Sequence, residues 1–186
     1  MTNRLHQILD FLFKWGSFII FGLLVFVELL LLVNNWNAVF FGHVRAFWVL
    51  LPVTAFFTAE NAVKLWGLKK FAQRIPCYVL DILCLIVLTI FSDGLLISTL
   101  YIIILSEFYL GQKRLSLSVV MGAVSIALFL VAFAVSGILK GETFSAASLI
   151  SNAFNDLLLL VLHFLGFNFA IQIWRKNLDL ADALAE

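Results

Sequence analysis

The stretch SFIIFGLLVFVELLLLV, residues 17–33, decides the fold class. It does not alternate polar and apolar residues, as a strand of a transmembrane barrel does over about ten residues. It has instead the length and apolarity of a helix crossing a hydrocarbon core of about 30 Å. The rest of the chain agrees with it. Hydrophobic residues make up 63% of the 186 and charged residues only 12%, with a mean hydropathy of +1.09. A water-soluble domain carries about 25% charged residues, so lipid must be much of this chain's solvent. The formal net charge of +1 gives no basic surface for a nucleic acid.

Working outward, apolar runs predict helices over 16–33, 46–66, 75–91, 95–110, 116–139 and 146–172. The links between them are NNWNAVFFGHVR, GLKKFAQR, SDG, GQKRL and KGETFS, rich in turn-forming and basic residues. Arg4 and Lys14 precede the first run as in a signal peptide, but the run is long. It ends in LLVNNWN without a small-residue cleavage site, so it is expected to be retained as a span. If the N-terminus is cytoplasmic, that side carries Arg4, Lys14, Lys64, Lys69, Lys70, Arg74, Lys113, Arg114, Arg175 and Lys176. The other side carries Arg45 and Lys140, a division of ten against two that follows the positive-inside rule. Trp15, Trp36, Trp48, Trp66 and Trp174 fall near span ends, where aromatic anchors belong. The expectation is an all-α integral membrane protein: a six-helix transmembrane bundle, both termini cytoplasmic, with a cytoplasmic C-terminal helical extension. Residues 1–172 form the six-span domain, and 173–186 form an exit helix that begins a coiled-coil linker.

Acidic residues inside spans cost several kcal/mol unless paired or hydrated, so each needs a reason. Glu60 and Lys64, four apart, are spaced for a helical ion pair. Asp81 and Glu107 are expected near the same side as Lys69, Lys70, Arg74, Lys113 and Arg114. Glu60, Lys64, Asp81 and Glu107 thus make an inner ionic cluster, either a belt that locks helices or a ligand-sensitive switch. Glu28 has no basic residue within a turn and must face another helix, face a wet cavity or hold its proton. In the last span Ser148, Asn152, Asn155, Asp156, His163 and Gly166 fall within about 100° of arc at 100° per residue. That stripe serves interhelical hydrogen bonding or lines a cavity, with Glu28, Asn152, Asn155, Asp156 and His163 as the candidate sensing residues. Ser118, Gly122, Ser125, Ala132 and Ser136 give the fifth span a small-residue packing face.

Other chemistry is not indicated. Cys77 and Cys84 share a helix face about 10 Å apart, too far for a mutual disulfide. Asp156 and His163 lie two turns apart, and no set of three or four ligands converges as a zinc site requires. No phosphate-cradling loop, nucleophile turn or metalloprotease pair occurs. Neither a catalytic role nor a cofactor or metal is expected.

Where the last helix continues through and past Trp174, the positions Ala170, Ile173, Asn177, Leu180 and Leu184 repeat at spacings of three and four. Such a seam with Asn at one inner position suits a parallel dimer, and an amphipathic tail lying on the membrane surface is the alternative. The six-span layout, LSEFYLGQKR at residues 105–114 and NFAIQIWRKNLDLADALAE at 168–186 together resemble the membrane sensor region of polytopic bacterial sensor histidine kinases. The resemblance implies a sensor in the bacterial cytoplasmic membrane that dimerises through Asn177, Leu180 and Leu184. It also implies a cytoplasmic kinase or response-regulator pathway as partner. No phosphoacceptor helix or ATP-binding domain lies within the 186 residues, so the resemblance implies the sensor half of a kinase and no kinase residue carries over. The alternative from the residues alone is a small proton-coupled transporter or an accessory membrane subunit.

Overall fold

The computed structural model describes residues 2–40, 44–68, 70–92, 96–112, 114–140 and 146–183, with side chains from Trp15 onward except at 146–150, 152, 175, 178, 179, 181 and 182. Among these residues the chain is all-α, with six helices. They are α1 (Thr2–Asn34), α2 (Phe47–Ala62), α3 (Phe71–Phe91), α4 (Leu96–Gly111), α5 (Leu115–Leu139) and α6 (Ala146–Ala183). A short antiparallel ribbon, β1 (Val39–Phe40) with β2 (Val44–Arg45), lies in the first link, pairing Val39 with Arg45 and Phe40 with Val44. The expected boundaries need three corrections. Helix α1 begins far earlier than residue 16, the ribbon was not anticipated, and α2 continues as a π-helical turn over Val63–Gly67.

Five helices are long and apolar enough to cross a membrane, and α4 is shorter. The surface confirms membrane association by its inversion. Phe18, Ile19, Leu23 and Phe26 of α1, Val131 and Ile138 of α5, and Phe154, Leu162 and Phe169 of α6 are exposed, whereas Lys64, Asp81 and Asn61 are buried. Water would reverse both preferences. Aromatic rings mark two levels. Trp66, in the π turn that prolongs α2, packs on Phe18 and Phe21 midway along α1, while Trp36 packs on Phe47 where α1 ends and α2 begins. At about 1.5 Å per residue, Trp48 and Trp66 stand about 27 Å apart, close to a bilayer's hydrocarbon thickness.

The core is built around α4, which packs against α1, α3, α5 and α6. Its Leu100, Tyr101, Ile104, Leu105, Phe108 and Tyr109 are all buried. Sixteen residues give α4 only about 24 Å of length, short for a lone span, so its ends depend on shelter from neighbouring helices. Ser118, Gly122, Ser125, Ala132 and Ser136 form the buried face of α5 together with Phe129. Gly122 is the closest approach: a Cβ there would collide with the Phe164 ring and the Tyr109 hydroxyl. The small residues on α5 therefore let α4 and α6 come close.

Candidate functional site: a buried ionic cluster joined to the last helix

The buried seam of α2 runs through Leu50, Thr54, Phe57 and Asn61 into Lys64 and Leu65 of the π turn. Lys64 thereby points into the bundle, where its ammonium pairs with Asp81 of α3 and with Glu107 of α4 at 3.0 Å. Both Lys64 and Asp81 are 0% exposed. Further hydrogen bonds surround the pair, although Asn61 Oδ1 and Glu60 Oε1 are buried without a hydrogen-bond partner among the described residues. Asn61 Nδ2 donates to Asp81 Oδ1 at 2.8 Å and to Phe57 O at 2.9 Å. Tyr78 Oη donates to Glu107 Oε1 at 3.0 Å, and its ring lies 4.5 Å from the Lys64 nitrogen. Arg74 closes the end of the cluster, 3.9 Å from Glu107 Oε1, with its Nε held by Leu68 O at 2.9 Å.

Two carboxylates thus face two cations across three helices. Removing such charges from water is repaid only when the geometry is good and further hydrogen bonds complete it. Here Asn61 and Tyr78 supply them. The position raises the cost, because Asp81 stands ten residues from each end of α3. That is about 15 Å from either end of the helix at 1.5 Å per residue, and an ionisable residue within a membrane-spanning helix marks a functional site by default.

The expected Glu60–Lys64 helical pair gives way to this arrangement. Glu60 is partly buried and accepts from Asn61 Nδ2 at 3.4 Å, while Lys64 turns to Asp81 and Glu107. Asn61, three residues before Lys64, shares its face and donates to the same Asp81 carboxylate, so the Lys64 ammonium reaches across to α3 and α4 rather than back to Glu60. Glu28 lies apart from the cluster, buried on α1, where its Oε2 accepts from the Thr58 hydroxyl of α2.

A second set of contacts ties α4 to α6. Ser98 Oγ donates to Asp156 Oδ1 at 2.7 Å, and Ser106 Oγ lies 3.0 Å from His163 Nε2. The Ser106 hydroxyl already donates to Ile102 O at 2.7 Å, so His163 is the donor to Ser106. Both pairs ascend in sequence, Ser98 to Ser106 and Asp156 to His163, so α4 and α6 run parallel. His163 also stacks on Phe167, with ring centroids 4.9 Å apart.

The polar stripe of α6 is therefore narrower than its sequence arc. Asp156 and His163 face α4, but Asn155 and Gly166 are exposed, because the buried face centres on Ala153, Leu160 and Ile171. The Asn152 side chain lies outside the described residues, as does Leu184. Asn177 and Leu180 are exposed on the extension of α6, which continues as one helix to Ala183. Among the described residues no group of three or more His, Cys, Asp or Glu is arranged to hold a metal ion.

Sequence reading alone missed Asn61, Tyr78, Ser98, Ser106 and Thr58. One signal was present: Ser98 and Ser106 are eight apart and Asp156 and His163 seven, a match suited to parallel helices. Compared with known proteins, the chain matches no family model, no curated protein and no solved structure.

Proposed function

We propose that this chain is a membrane-embedded sensor and signal-transmission module. Its six helices span a bacterial cytoplasmic membrane with both termini on the cytoplasmic side, and α6 carries the output. The supporting observation is a pair of consecutive residues on α4. Ser106 contacts His163 of α6, and Glu107 contacts Lys64 in the ionic cluster. A displacement of the cluster pulls on α4 through Glu107, and α4 holds α6 through Ser98 and Ser106. Because α6 is a single helix of 38 residues, its membrane-embedded part and its tail move as one rod. Two tail copies pair through Asn177, Leu180 and Leu184 and engage a cytoplasmic kinase or response-regulator pathway. Leaving out the buried Lys64, basic residues divide nine against two, which supports the orientation.

Leu180→Cys in a background lacking Cys77 and Cys84 tests the dimer. Oxidation in native membranes should give a disulfide-linked dimer, and Asn177→Lys should suppress it. Monomer throughout the oxidation series contradicts the proposed output.

A second reading, a proton-coupled transporter, draws on the intramembrane carboxylates Glu28, Asp81 and Asp156. It requires proton flux in proteoliposomes that Asp156→Asn and Glu28→Gln each eliminate. Their separate partners, Thr58 for Glu28 and Ser98 for Asp156, favour the sensor reading over a coupled carboxylate pair.

A further inference from the structure

Helices α1 and α2 leave a crevice of about 170 Å³ between them. From α1 come Val25, Glu28, Leu29 and Leu32, and from α2 Leu51, Thr54, Ala55 and Thr58. Each set follows the i, i+3, i+4, i+7 spacing of one helix face, so the crevice is two matched stripes across an antiparallel pair. Leu29, Leu51 and Ala55 at its rim are exposed, beside the exposed apolar side chains Phe26 and Phe56. The opening therefore faces the bilayer.

Glu28 is 3% exposed. Thr58 engages its Oε2, while the buried Oε1 has no hydrogen-bond partner among the described residues. The Thr54 hydroxyl donates to Leu51 O at 3.0 Å, and its lone pairs remain free to accept. A carboxylate oxygen without a donor in an apolar wall is costly, and a cationic donor entering the crevice removes that cost. Hard metal ions want six or more oxygen ligands, which one carboxylate and two threonines do not supply. An ammonium group needs only acceptors, and the leucine and valine walls accommodate an apolar body. An apolar cavity of about 150 Å³ admits benzene, which sets the size of that body.

We infer that the crevice between α1 and α2 is a binding site for a small lipophilic ammonium ion that enters from the bilayer, with Glu28 as its counter-ion. Its role as the stimulus rests on the sensor reading; the site itself does not.

Radiolabelled benzylammonium binding to the full chain in lipid nanodiscs tests the site, with empty nanodiscs subtracted. The expected result is saturable binding at one site per chain, weakened at least tenfold by Glu28→Gln and equally by Ala55→Phe. The second variant fills the crevice from its rim without touching the carboxylate. Benzyl alcohol, equal in shape and uncharged, should not compete. Absence of saturable binding, unchanged binding in both variants, or equal competition by benzyl alcohol overturns the inference. Binding that leaves the α6 tail unaltered keeps the site and refutes its part in sensing.

Discussion

Lys64 is the side chain on which the buried charge depends. It lies between Asp81 and Glu107 with the Tyr78 ring against it. Lys64→Met would leave both carboxylates facing each other without their shared cation. Removing one partner of a buried pair costs about 3 kcal/mol or more, and that loss should appear in unfolding from mixed micelles. Adding Glu107→Gln should recover part of it, because the two sites share a partner and are not additive. A loss below about 0.5 kcal/mol, the scale of an exposed pair, would contradict the burial assigned to Lys64. The sequence indicated that Lys64, Asp81 and Glu107 needed partners, since intramembrane charge has a high cost. It grouped them, with Glu60, in one inner cluster but did not indicate that Lys64 pairs directly with both Asp81 and Glu107. The spacing of Glu60 and Lys64 suggested a local pair, and only tertiary packing shows Lys64 reaching two other helices instead.

Among the helices, α4 is the one whose importance was hardest to read. Its apolar run is the shortest and its charge is a single carboxylate, yet four helices pack on it. Periodicity gives a helix its faces but not its neighbours, so the matched serines could not be assigned to α6 in advance. The small-residue face of α5 was readable, because close approach demands residues without bulk. Gly122 carries the sharpest test of that packing. Gly122→Ala should destabilise the bundle by about 1–3 kcal/mol, the usual cost of overpacking, since its methyl meets Phe164 and Tyr109. Gly22→Ala, with nothing near its added methyl, should cost nothing. Equal effects of the two substitutions would refute the approach of α5 to α4 and α6.

The fold as a unit was read from composition and run length: 63% hydrophobic residues leave a helical bundle in lipid as the economical solution. The first helix was read too short because Arg4, His6, Asp10 and Lys14 break the continuous apolar run, although Leu5, Ile8, Leu9 and Leu12 keep the helical spacing and continue the same helix from Thr2. The π turn at Val63–Gly67 escaped for a related reason, since it inserts no residue type that announces it. Such turns concentrate at functional sites, and this one contains Lys64. Together these parts form a chain of contacts from the cluster, through Ser106 and Glu107, to the α6 tail. Spin labels at Gln73, near the start of α3, and at Asn177, on the tail, report on that chain by electron–electron resonance in lipid nanodiscs. Cys77 and Cys84 are first replaced by alanine. Glu107→Gln should shift the distance distribution by on the order of 1–2 Å, the size of a helix displacement in signalling, and Ser106→Ala should remove the shift. Superimposable distributions for wild type and Glu107→Gln would contradict transmission through α4.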